Sequence, residues 1–291
     1  MIRHLLLAAC ATLALATAAD AAPKKAPPPP AVPPAPGAPG PNDWRTPDPE
    51  NVMVIDTNKG RVFVELSPLA APKHVAQVKD IARAGLYDGR SFFRVIDLFM
   101  AQTGDPKDDG TGGTDRPDLK AEFTFRKGAD TPFLLVADQT VAEIGFMGAL
   151  PIMTQSSMLA PMTADGKVSA WALYCPGVAG MARGEDPDSA NSQFFLMRQA
   201  YPSLEKRYTA FGRVIAGLDV VRAIKVGEPV EQPQDKMLKV QMLADMPAAS
   251  RPKIKVIDPN SPWFKAEVEN VRAEMGADFT ACAIRIPSEV K

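Results

Sequence analysis

Phe92-Phe93-Arg94-Val95-Ile96-Asp97-Leu98-Phe99-Met100-Ala101-Gln102-Thr103-Gly104-Asp105 holds two short strand-like runs, 92–96 and 99–103, on either side of a turn. Successive side chains of a strand point to opposite faces. Arg94 and Ile96 therefore share a face of the first run, and Met100 and Gln102 share a face of the second. An arginine and a glutamine are thereby set beside large apolar side chains. Upstream, Val52-Met53-Val54-Ile55 and Arg61-Val62-Phe63-Val64-Glu65-Leu66 are rich in β-branched and apolar residues, and Asn58-Lys59-Gly60 between them suits a hairpin turn. A helix follows: Pro72 fits its first position, Val75, Val78, Ile81 and Ala82 recur at helical spacing, and Gly85 fits its exit. Downstream, 193–197, 209–214 and 237–242 read as strands and 218–224 as a short helix. Many short strands with about two helices predict a mainly β fold, a closed antiparallel barrel in place of alternating βαβ units.

Composition narrows the chemistry. Lys and Arg number 33 against 34 Asp and Glu, a net charge of −1. That balance gives no electrostatic basis for nucleic acid or anionic membrane as the main partner. His4 and His74 are the only histidines and no Cys-x-x-Cys occurs, so the zinc motifs are excluded. Neither Gly-x-Ser-x-Gly nor a phosphate-binding glycine motif is present. The run 105–116 superficially resembles a calcium loop, but Lys107 takes a ligand position and Arg116 replaces the closing Glu. No metal, small-molecule cofactor or covalent intermediate is expected. His74 reads as a solvated helix residue.

The two ends differ from the middle. Arg3 and His4, the apolar run Leu5 to Ala18, and Ala19-Asp20-Ala21 form a secretory signal, residues 1–21. The run is too short for a membrane span. Leu7-Ala8-Ala9-Cys10 resembles a lipidation box, yet Cys10 comes early and the apolar core continues past it, so cleavage after Ala21 is preferred to a lipid anchor. Residues 22–47 are a Pro-rich linker of polyproline II character. The barrel domain is expected over 48–246, with an insertion at 128–176 too long and too apolar to be a plain loop. That insertion reads as a lid or partner surface beside a groove, or as a packed excursion that only adds core. The extension 247–291 is expected to pack on the barrel, with Ser261 capping a helix, Pro262 at its first position, Gly276 ending it, and a strand from Phe279 to Ile286. Cys175 and Cys282 survive cleavage into an oxidising compartment and are expected to pair.

A second segment carries function: Ser189-Ala190-Asn191-Ser192-Gln193-Phe194-Phe195-Leu196-Met197, then Leu204, Tyr208 and Phe211-Gly212-Arg213-Val214. Pattern alone leaves two readings open. One is a barrel whose aromatics fill the core while Arg94 snorkels to water; the other is a polar site on an apolar seat.

The first segment closely resembles the cyclophilin signature Phe-x-Arg-Val-Ile-x-x-Phe-Met-x-Gln-x-Gly-Asp. Met181-Ala182 with Asn191 to Phe195, and Tyr208 to Val214, resemble further family motifs, over 51–127 and 177–244 in all. The resemblance implies an eight-stranded barrel of cyclophilin type and peptidyl-prolyl cis–trans isomerase activity on proline-containing polypeptides. It places the family's catalytic arginine at Arg94 and its substrate-binding groups at Phe99, Met100, Gln102, Ala182, Arg183, Gln193, Phe195, Leu204 and Tyr208. Arg183 stands where the family often has Asn, Asn191 where it often has Gly, and Tyr208 where many members have histidine. Ser203 replaces an aromatic present in some members, which argues against tight cyclosporin binding. With the export signal, the resemblance implies a periplasmic folding enzyme; the alternatives are a secreted or lipid-anchored location, and a binding module or holdase acting through insertion and tail.

Overall fold

Four consecutive apolar residues in a strand call for cover on both faces. Val52, Met53, Val54 and Ile55 are all 0% exposed, and the architecture shows what covers each side. The computed structural model describes residues 32–291; the signal region, Cys10 and the start of the Pro-rich linker lie outside the described residues.

Eight strands form one antiparallel sheet in the order Met237–Met242, Val52–Thr57, Gly60–Leu66, Ala210–Ala216, Val178–Met181, Phe194–Met197, Met100–Thr103, Arg94–Ile96. The expected closed barrel is a curled sheet whose edge strands do not ladder together. The two edges are linked through flanking segments by isolated bridges, Val95 with Gly227 and Ser91 with Lys236. The segment between carries Pro229 and Pro233, and proline has no N–H for a ladder. Met53, Ile55, Val64, Val95, Ala101, Phe194, Leu196 and Phe211 fill the inside. Helices α1 (Pro72–Arg83) and α2 (Leu218–Ala223) add Val75, Val78, Ile81 and Val221 to the same core.

The outer face of the first hairpin is covered by the C-terminal extension. Val52, Val54 and Phe63 pack with Ile254 and Val256, which lie in a three-stranded sheet ordered Trp44–Arg45, Ile254–Ile257, Ser288–Val290. Covering an aliphatic side chain of this size stabilises by about 1.5–3 kcal/mol, so the extension is part of the fold. Helix α3 (Pro262–Met275) begins as expected, with Ser261 Oγ accepting from Phe264 N at 3.1 Å. Phe264 meets Phe146 edge-on at 5.3 Å. Phe146 belongs to a second sheet, made by the insertion and the strand that leads into it: Phe125–Lys127, Val168–Ala172, Leu150–Gln155, Ala142–Met147, Leu134–Asp138. Cys175, closing the insertion, is disulfide-bonded to Cys282, with Cα atoms 4.9 Å apart.

Three local expectations change. The strand expected at Phe279 to Ile286 is absent: Thr280 caps a 3-10 turn, Ala281–Ala283, that carries Cys282 to Cys175, and the strand is Ser288–Val290. Part of the Pro-rich stretch is bound to the tail, because Pro33 O accepts from Asn270 Nδ2 (2.7 Å) and Gly37 O from Trp263 Nε1 (2.5 Å). Polyproline-like chain makes no internal hydrogen bonds, so its carbonyls are available for this. His74 is 0% exposed, not solvated. Its Nδ1 lies 2.7 Å from Glu122 Oε2, which also accepts the His74 N–H at 3.1 Å at the start of α1. Among the described residues no helix is long and apolar enough to cross a membrane.

Candidate active site

Cross-strand register makes the site. Arg94 pairs with Gln102, and Ile96 with Met100; Gln102 in turn pairs with Phe195. The alternate residues Val95, Ala101, Phe194 and Leu196 point into the barrel core, so these three strands turn every second side chain to the outer face. Arg94, Phe99, Met100, Gln102, Ala182, Arg183, Phe195, Leu204 and Tyr208 line one cleft there, of about 200 Å³. Typical small-molecule pockets are about 300–1,000 Å³; this one suits a single side chain. Among the described residues no cluster of three or more His, Cys, Asp or Glu is placed to hold a metal ion.

The floor is apolar and firmly held. Met100, Phe195 and Leu204 are 2%, 5% and 7% exposed. They share a core with Phe146 and Ile152 of the insertion and Phe264 of α3. Phe195 stacks on Tyr174 (6.0 Å between ring centres) and meets Tyr208 edge-on at 5.9 Å. Gly180 permits this: a Cβ there would stand 2.5 Å from the Phe195 ring. On the rim, Phe99 leans on Tyr201 at 4.4 Å. The Arg183 guanidinium lies 4.7 Å from the centre of the Tyr208 ring.

A relay of amides aims the polar groups. Asp105, fully buried, accepts from the N–H groups of Lys107 (2.8 Å), Asp109 (3.2 Å) and Gly112 (3.2 Å). The loop so fixed offers the carbonyls of Gly110 and Gly112 to Gln193 Nε2, at 3.1 and 2.8 Å. A carbonyl only accepts, so the Gln193 amide has one orientation. Its Oε1 receives Gln102 Nε2 at 3.0 Å, which turns Gln102 Oε1 toward Arg94 Nη1 at 3.3 Å. Gln193, expected among the substrate contacts, thus stands one step behind the cleft. Gly104 opens this loop at φ +83°, where a Cβ would meet Ser192 O at 2.6 Å; that accounts for the Gly-Asp pair ending the first segment.

The outer edge of Arg94 is held by Glu228, with Nε and Nη2 both 2.6 Å from Oε1. The two side chains are 37% and 55% exposed, and such a pair contributes only about 0.2–1 kcal/mol. It orients the guanidinium without locking it. Glu228 is 134 residues away in sequence, and no local pattern announces it; nor does one announce Tyr174 or Tyr201. Ala182 gives its N–H to Gln193 O at 2.9 Å, so its donor is already used in the sheet.

Residues 52–244 match the family model described as cyclophilin type peptidyl-prolyl cis-trans isomerase/CLD. The chain is similar to a probable peptidyl-prolyl cis-trans isomerase of Brucella suis biovar 1, 36% identical over 213 residues, which cover 68% of this chain and 85% of the relative. The Brucella melitensis biotype 1 protein of the same description gives the same figures. In three dimensions the chain is similar to a cyclophilin of Hirschia baltica known from its crystal structure, with a TM-score of 0.79 and 36% identity, covering 86% of this chain and 94% of that one.

Proposed function

This chain belongs to the cyclophilin-type peptidyl-prolyl cis–trans isomerases, and on that footing we propose that it serves exported polypeptides, turning their X–Pro bonds in the cleft around Arg94. The activity, isomerisation of X–Pro bonds, is that of the family. The observation that carries the assignment of residues is a permanently charged guanidinium set over a buried apolar seat.

Rotation about a peptide C–N bond meets a barrier of about 18–20 kcal/mol. The two X–Pro isomers differ by only about 0.5–1 kcal/mol, yet exchange takes tens to hundreds of seconds. The reaction therefore needs a lower barrier and no bond chemistry, and each 1.4 kcal/mol or so removed is a factor of about ten. In the twisted state the amide nitrogen regains its lone pair and becomes a better acceptor. Arg94 donates to that nitrogen or to the prolyl carbonyl, held by Gln102 on one side and Glu228 on the other, so little reorganisation is left for the moment of rotation. Phe99, Met100, Phe195 and Leu204 seat the proline ring. Gln102 anchors the carbonyl on the rotating side, and the main chain at Arg183 aligns the substrate backbone. Only contacts that strengthen in the twisted state accelerate the step; the apolar seat binds both states and chiefly sets affinity.

Export rests on the charged, apolar and small-residue sequence of 1–21, and a disulfide between Cys175 and Cys282 suits an oxidising compartment such as the periplasm. Two measurements test this reading. NMR exchange on an Ala-Pro peptide and refolding of a proline-limited protein should both accelerate; an unchanged slow phase would sink the activity. Mass spectrometry of the protein from a periplasmic fraction should find Ala22 at the N-terminus; a chain retaining residues 1–21 in the cytoplasm would remove the export claim and leave the activity standing.

A further inference from the structure

A second cleft, of about 500 Å³, opens between the C-terminal segment 282–288 and residues 213–222, and it shares no lining residue with the cleft around Arg94. Arg213 lines it at 8% exposure. Its Nε donates to Pro176 O at 3.2 Å and its Nη1 to Ala149 O at 3.0 Å. No carboxylate among the described residues lies within 4.0 Å of it. Its cross-strand neighbour is Glu65, but Arg45 takes both oxygens of that carboxylate, at 2.5 and 2.7 Å. Burial with nothing to offset it pulls the Arg213 pKa down to about 10.

A buried charge is costly unless an opposite charge meets it. Arg222 lines the same cleft, exposed, donates Nε to Arg198 O at 3.3 Å and makes no ion pair among the described residues. The third guanidinium, Arg285, is matched by Glu267 at 2.6 Å. The single carboxylate on the lining, Asp219, is exposed. Two arginines thus face one carboxylate, and Arg213 has donors left over. Guanidinium forks match planar or tetrahedral oxyanions with paired hydrogen bonds.

We propose that this cleft is a binding site for an oxyanion, the carboxylate or phosphate group of a ligand, with Arg213 as the buried anchor and Arg222 as the rim contact. The ligand supplies the counter-charge that the protein withholds.

The test titrates inorganic phosphate and, separately, acetate into the full oxidised chain at constant ionic strength, following the Arg213 Nε–H signal by NMR. The expected result is a saturable shift with at least one of the two anions, and whichever binds names the source, phosphoryl or carboxyl. Arg222→Gln should weaken binding about fivefold, the scale of one charge-assisted hydrogen bond, with kcat/KM on a proline peptide unchanged. Arg213→Gln should abolish it; if that variant does not fold, the Arg222→Gln titration decides. A response indistinguishable from chloride, or saturable binding unaffected by Arg222→Gln, would overturn the proposal.

Discussion

The strands around Arg94 and the sheet made by the insertion are both antiparallel, both half of a shared core, and they do different work. Strands 94–96, 100–103 and 194–197 alternate, one residue into the barrel and the next to the outer face, where Arg94, Met100, Gln102 and Phe195 line the cleft. Such a strand exposes chemistry because its other face is buried elsewhere. The insertion strands alternate less: Ala142 to Met147 is buried at every position, between the cleft floor and α3. That sheet holds Phe195, Met100 and Leu204 from behind and contributes no residue to the lining of the cleft. The cleft is thus built by the barrel and backed by the packed sheet that was added to it.

The division can be broken in a graded way. The largest expected effect is on stability. Cys175→Ser with Cys282→Ser opens a link across 107 residues and should destabilise by up to about 4–5 kcal/mol in the chain-entropy model. Urea melts measure this; kcat/KM on a short peptide, assayed well below the transition, should stay within about twofold. A collapse of peptide turnover with unchanged melting would place the insertion in the chemistry. Next comes Arg94→Ala, which removes a preorganised donor and should lower kcat/KM by about two to three powers of ten, or about 2.7–4 kcal/mol. Because Arg94 is partly exposed and its ion pair weak, the melting temperature should hold. A loss of stability matching the loss of activity would erase the contrast between the two regions.

A smaller effect sharpens the boundary. Gln193 is not itself part of the cleft lining, yet it orients Gln102, which is. Gln193→Ala should lower kcat about tenfold, the scale of about one lost hydrogen bond, with KM little changed. A rise in KM alone would return Gln193 to the substrate contacts.

The smallest effect is a pH lever that sits on α1, away from the cleft. Burial holds the His74 pKa below its ordinary 6.5, with the Glu122 hydrogen bond acting against that shift. The unfolded chain therefore binds the proton more readily than the folded one. Stability on this account is full above pH 6.5 and falls as pH drops below it. Thermal melts from pH 7 to 5 should show the decline, and His74→Gln should flatten it; an identical slope in both proteins would show that His74 is not its source.

What was legible follows from physical range. Hairpin 52–66, helix α1, helix α2 and the strands around Arg94 all announce themselves through period-two or helical spacing and through turn residues a few positions away. The same spacing placed Arg94 with Ile96, and Met100 with Gln102, on one face of each strand; the register that brings Arg94 opposite Gln102 and Ile96 opposite Met100 was not part of that reading. Long-range partners leave no such trace. His74 looked solvated because Glu122 lies 48 residues on. The place of Gln193 behind Gln102 left no trace because its acceptors, Gly110 and Gly112, lie on a loop more than 80 residues earlier. The run 279–286 looked like a strand because its apolar residues serve the disulfide corner and the core under α3, while the true strand, Ser288–Val290, is short and polar. The barrel-like curl was legible, but not that its edges would be joined by isolated bridges in place of a continuous ladder.

The central claim is that Arg94 lowers the barrier as a fixed charge, with no proton changing hands. The most direct measurement is the pH dependence of kcat/KM on an Ala-Pro peptide by NMR exchange, since a guanidinium keeps its charge throughout the accessible range. From about pH 6 to 9 the profile should be flat for the wild-type chain and equally flat, at its lowered level, for Arg94→Ala. A bell-shaped profile in the wild type, absent from Arg94→Ala, would contradict the account.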